Sequence, residues 1–130
     1  MDKTDVTWNI FGMYMLIIIF MLICSSAYSQ NIVVTHFNAA WNDPNKVSYI
    51  GKLTDCDIVY VDIAASPKLQ TKHEIVVVPT VVIFKDGEEM KRYQADISFS
   101  MKATRKEIQN FIAHANISAE NETSTLVFQC

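Results

Sequence analysis

The side chains of this 130-residue chain best suited to covalent or metal chemistry are three cysteines and three histidines. Disulfide exchange needs a thiolate that attacks sulfur and a second thiol that resolves the mixed disulfide. Cys24, Cys56 and Cys130 contain no C-x-x-C pair. His36, His73 and His114 are equally dispersed, so cysteine and histidine do not meet at the spacing of a structural zinc site. No metal and no cofactor is expected. His36, at the end of an apolar run, reads as a core histidine bonded to backbone. A net charge of −3 leaves no basic footprint, which argues against nucleic acid as a partner. The length, with 50% hydrophobic residues, fits one small domain.

The elements that would position any site follow from periodicity. Val76 to Phe84 holds seven Val, Ile or Phe in nine residues, the pattern of a strand buried on both faces. Pro79 interrupts it; proline cannot donate to a ladder and belongs at a strand's first residue or on an edge. Asp86-Gly87 supplies a tight hairpin turn, with Met90 to Tyr93 returning. Upstream, Ile32 to Phe37 and Ile58 to Ile63 read as strands. Asp43 as N-cap with Pro44 at N1 opens a short helix that ends near Lys52 to Thr54, and Ser66-Pro67 opens a second that runs to about His73. Thr104-Arg105-Lys106-Glu107 has capping-box spacing, and Ile108, Phe111, Ile112 and Ala115 form the apolar stripe of a third helix. Residues 116–130 turn polar and read as a loose tail carrying two glycosylation triplets, at Asn116 and Asn121.

The N-terminus carries an apolar run from Ile10 to Cys24, broken only by Gly12. That length suits a signal-peptide core, with cleavage after Ser29. Trp8 to Tyr28 would alternatively make an uncleaved anchor with aromatic ends. Either reading exports the domain. Residues 1–29 are thus signal or anchor, 30–115 the domain and 116–130 the tail.

The order β-α-β-α-β-β-α, with a proline at the mouth of the third strand, resembles the thioredoxin family. Val33 to Lys46, VVTHFNAAWNDPNK, is similar to the family's active-site stretch, in which a strand ends in F-x-A-x-W-C-G-P-C-K; Phe37, Ala39, Trp41, Pro44 and Lys46 match. Val78-Pro79-Thr80 and Phe84-Lys85-Asp86-Gly87-Glu88 resemble its cis-proline strand and hairpin. The resemblance implies an α/β, minimal thioredoxin-like fold: a four-stranded mixed sheet with helices on both faces and a cis Pro79. Asn42 and Asn45 stand where the family has its two cysteines, His36 stands where it has a buried carboxylate, and the usual first strand and helix are missing.

An amide can neither attack nor resolve a disulfide. The expectation is therefore an exported, redox-inactive module. It would bind an extended segment of a partner protein over Trp41, Asn42, Asp43, Pro44, Asn45, Val78, Pro79 and Thr80 by strand addition. Two alternatives stand beside it. One is a divergent thiol-disulfide oxidoreductase using Cys56 or Cys130. The other is a structural subunit held in a membrane by residues 8–28, the membrane being a partner only if that segment is uncleaved.

Overall fold

The structure is a computed structural model that describes the backbone of residues 3–24 and 31–129. The cleavage site expected after Ser29, and Tyr28, lie outside the described residues. The chain divides into two compact units, residues 1–29 with 120–130, and residues 30–119.

In the larger unit, β1 (Ile32–Asn38) is the centre of recruitment. It pairs in parallel with β2 (Asp57–Asp62) and antiparallel with β3 (Thr80–Lys85). β4 (Glu88–Gln94) pairs antiparallel with β3, so the sheet runs β2-β1-β3-β4. This is a four-stranded mixed sheet. Alternation along β1 and β3 explains why both strands read as continuous apolar runs: each face is covered. One face packs Ile32, Val34, Val81 and Ile83 against Val47, Ile50 and Leu53 and against Ile108 and Ile112 of α3 (Arg105–Gln129). The other packs Phe37 and Val82 against Ile75 and Val78, beside α2 (Pro67–Lys72). Ile108 and Ile112 are fully buried, and each such side chain contributes about 1.5–3 kcal/mol.

Several local readings change. The connection after β1 is not an α-helix but two 3₁₀ turns, Ala40–Asn45 and Ile50–Lys52. Asp43 does not cap; the N-cap position is Ala39, and Pro44 lies within the turn. Two short turns suffice because only Val47, Ile50 and Leu53 must reach the sheet. The third strand starts at Thr80 rather than Val76, and Val76 is 86% exposed. Ser66 holds the N-cap position of α2 without a side-chain capping bond. The hairpin forms as its residues dictate, with positive φ at Asp86 and Gly87. Glu107 N–H donates to Thr104 Oγ1 at 3.3 Å, and Ile108, Ile112 and Ala115 are buried as the stripe requires. The polar segment expected as a loose tail is instead helical, since α3 continues to Gln129.

In the smaller unit, Lys3–Cys24 forms a 22-residue helix, α1. Ten apolar side chains between Ile10 and Phe20 are exposed, and they are nearly consecutive, so they lie on every side of the helix. Among the described residues no helix is long and apolar enough to cross a membrane.

Candidate functional site

The C-terminal end of β1 feeds directly into the Ala40–Asn45 turn, and a three-asparagine network fixes that junction. Asn42 Nδ2 donates to Asn38 Oδ1 at 3.0 Å, and Asn45 Nδ2 donates to Asn42 Oδ1 at 2.9 Å. Asn38 Nδ2 returns to the Asn42 carbonyl at 3.3 Å. Asn42 is only 3% exposed, so it is an internal tie and not part of an outer surface. Asn45 is exposed and so are Trp41, Asp43 and Pro44. Asp43 also pairs with Lys46 at 3.4 Å.

The second half of the expected site arrives from the start of β3. The Val78–Pro79 peptide is cis. The side chains of Val78, Pro79 and Thr80 are buried, and Thr80 Oγ1 donates to the Val77 carbonyl at 2.6 Å. Pro79 uses its carbonyl to accept from Ala95 N–H at 3.0 Å. Among the described residues, neither the N–H nor the C=O of Val78 takes a hydrogen-bond partner. A backbone pair beside a buried side chain normally finds a partner. Val78 therefore differs from its neighbours: the residue is 2% exposed and anchored in the Phe37–Ala39–Ile75–Val82 cluster, yet its two backbone polar groups take no partner among the described residues.

The loop after β4 completes the face. Trp41 and Phe99 meet edge to face with ring centroids 5.4 Å apart, a favourable aromatic geometry. Phe99 has φ of 59°, an uncommon conformation for a bulky side chain. Asp96 ties this loop: its carboxylate accepts from the Ser98 N–H and hydroxyl and pairs with Lys102 at 3.2 Å, which holds its pKa down to about 2. Ile97, between these ties, is 98% exposed. Trp41, Val76, Ile97 and Phe99 are all exposed apolar residues, of which Trp41 and Phe99 touch, and the last three escaped the sequence reading. Val76 was hidden inside an apolar run. Ile97 and Phe99 had one available signal, apolar residues in an otherwise polar loop.

The candidate thiol and imidazole groups sit elsewhere. Cys56 lies just before β2 and packs partly buried against the cluster under α3. Burial is the main cause that raises its pKa, with Asp55 and Asp57 adding to it, so the thiolate is disfavoured. Cys130 lies outside the described residues. His36 is buried, and its Nε2 accepts from Val47 N–H at 3.2 Å. Burial pushes its pKa below the ordinary value, which keeps the ring neutral and the acceptor intact. Among the described residues no group of His, Cys, Asp and Glu could hold a metal ion.

No protein-family model matches the chain. Its curated relatives include thioredoxin of Chlamydia trachomatis, 28% identical over 74 residues, covering 52% of this chain and 72% of that protein. A thioredoxin of Staphylococcus epidermidis is 29% identical over 77 residues, covering 52% and 71%. Among solved structures, thioredoxin-2 of the malaria parasite, described as a component of protein secretion machinery, superposes with a TM-score of 0.54 at 16% identity, covering 65% of this chain and 84% of that one. A mutant thioredoxin from Halobacterium salinarum gives a TM-score of 0.50 at 20% identity, covering 69% and 79%. With the sheet order, the cis Pro79 and the turn at Trp41, these similarities make the chain a protein of thioredoxin-like fold, related in sequence to the thioredoxins.

Proposed function

We propose that the protein binds an extended segment of a partner protein across the Trp41–Val78 face, without thiol chemistry. The observation that carries this reading is the unpartnered backbone of Val78. One N–H and one C=O, held in place by a buried side chain, offer the two hydrogen bonds with which an added strand begins. Trp41, with Phe99 behind it and Ile97 nearby in sequence, supplies exposed apolar area for alternate side chains of the segment.

The turn supports binding over catalysis. Where a thioredoxin carries its two thiols this chain carries Asn42 and Asn45, hydrogen-bonded to each other. Neither amide is a nucleophile toward sulfur. Cys56, with its raised pKa, is a poor substitute, and it sits before the N-terminal end of β2 while Trp41 follows the C-terminal end of the parallel β1. The reading includes export by residues 1–29, as signal or anchor. The exposed apolar run from Ile10 to Phe20 suits a signal-peptide core, which supports the signal, while among the described residues no helix, α1 included, is long and apolar enough to cross a membrane, which counts against the anchor.

A photo-reactive residue at position 76, exposed and two residues before Val78, tests the binding in cells. The expected result is one recurring adduct that is lost on Trp41→Ala. Adducts indifferent to Trp41→Ala, in a variant that folds as the parent does, would sink the reading. N-terminal sequencing of the chain recovered from membranes separates the two export routes: Gln30 as first residue means a cleaved signal, and Met1 means an anchor.

A further inference from the structure

The sheet ends on one side at β2, which has no proline or bulge and carries charge only at its two ends, and a second strand lies only on its inner side. Ile63 N–H donates to the Asn38 carbonyl at 2.9 Å, so by the alternation of a parallel ladder residues 57, 59 and 61 turn their backbone groups toward β1. Ile58 and Tyr60 then present N–H and C=O to the outer side. Val59 and Tyr60, on opposite faces, are 43% and 63% exposed.

Charge marks the two ends of this edge. Asp57 opens the strand and Asp62 closes it, both exposed. A cavity of about 520 Å³ opens at the Asp62 end, lined by Tyr60, Asp62, Asp43, Lys46 and the buried His36. Lys46 is paired with Asp43, and one Asp62 oxygen accepts from Ala64 N–H at 2.9 Å. Asp62 and the Tyr60 ring both line the cavity, so a cationic side chain that enters it would meet a carboxylate and an aromatic face.

We propose that the outer side of β2 is a second recognition site; of the residues expected at the Trp41–Val78 face only Asp43 lines its cavity. It takes an extended peptide segment with β-branched residues in its middle and lysine or arginine at its ends. The middle pairs with the outward backbone groups of Ile58 and Tyr60, and the basic ends meet Asp57 and Asp62. A second copy of this chain is the poorer occupant. Its β2 offers two aspartates and no basic side chain, so two copies would bring only like charges to the ends of the pair.

The test is a titration of the ¹⁵N-labelled full chain with the peptide acetyl-Lys-Thr-Val-Thr-Val-Lys-amide, followed through backbone amide signals. The expected result is progressive shifts of the Ile58 and Tyr60 amides. These are abolished when alternate peptide nitrogens are methylated, and unchanged by Trp41→Ala. Asp62→Asn keeps an acceptor for Ala64 N–H and removes only the charge; it should weaken the affinity about two- to fivefold. Three outcomes overturn the proposal: no shift at 58 and 60, an equal response to the same peptide with glutamate ends, or an Asp62→Asn chain that binds as the parent does. Shifts at 58 and 60 that depend on protein concentration without peptide also overturn it, and would assign the edge to a second copy.

Discussion

Replacing Asn42 with alanine measures how firmly the turn is built. Two side-chain bonds are lost, from Asn42 to Asn38 Oδ1 and from Asn45 to Asn42 Oδ1. The bonds from Asn38 Nδ2 to the Asn42 carbonyl and from Asn42 N–H to Ala39 survive, because they use the backbone. Asn38 is 8% exposed, so its stranded oxygen costs about 1–3 kcal/mol. Asn45 is exposed and turns to water, so its loss adds only about 0.5–1 kcal/mol. The sum is a destabilisation of about 1.5–4 kcal/mol, read as a lower urea midpoint at unchanged slope. Asn38→Ala combined with Asn42→Ala leaves no stranded Asn38 oxygen, although the residue-42 carbonyl loses its donor in both chains that carry Asn38→Ala, so the two changes should couple by about 1–2 kcal/mol in a double-mutant cycle. An Asn42→Ala chain within about 0.5 kcal/mol of the parent, or a coupling near zero, would show that the asparagine network does not hold the turn.

Three further perturbations probe the frame around the face. His36 has a folded pKa below 6.5, so the unfolded chain binds the proton more readily: stability is complete above about pH 6.5 and declines as pH falls below it. His73 is shifted in the same direction, so His36→Gln should flatten that decline only in part; a stability–pH profile as steep as the parent's would refute the assignment. The Tyr49 hydroxyl donates to the Ala103 carbonyl, and Tyr49→Phe should cost about 1 kcal/mol in urea unfolding with the fold unchanged. Phe99→Gly, in a Trp8→Phe background, removes both a positive φ and the ring against Trp41; the two effects oppose each other in stability, while Trp41 emission should move to longer wavelength, and an unmoved spectrum would mean that the ring contact is not formed in solution.

Much of the frame was legible because hydrophobic burial writes itself as period. β1 and β3 are covered on both faces and read as apolar runs; α3 shows its stripe at Ile108, Ile112 and Ala115. The hairpin was fixed by Asp86-Gly87, whose positive φ values few other pairs accept. What failed did so for physical reasons. Asp43-Pro44 carries good helix-start chemistry, yet the chain between β1 and β2 sends only Val47, Ile50 and Leu53 into the core on the α3 side, and two 3₁₀ turns do that. Asn, Ser and Thr dominate residues 116–125 and are weak helix formers, which hid the support of Ala119, Glu120 and Glu122 for the continuation of α3 to Gln129. Asn42 reads as a surface residue because asparagine usually is one; its burial depends on Asn38 and Asn45 accepting and donating at the same time.

The central claim is that the Trp41–Val78 face works by binding, with no thiol taking part. Its most direct test is the crosslink from position 76 repeated in a chain with Cys24, Cys56 and Cys130 all changed to serine. The account predicts the same adduct, in the same yield, from the cysteine-free chain, still lost on Trp41→Ala. An adduct that disappears with the cysteines, together with turnover of a disulfide substrate that disappears with them, would contradict it and make the protein an oxidoreductase.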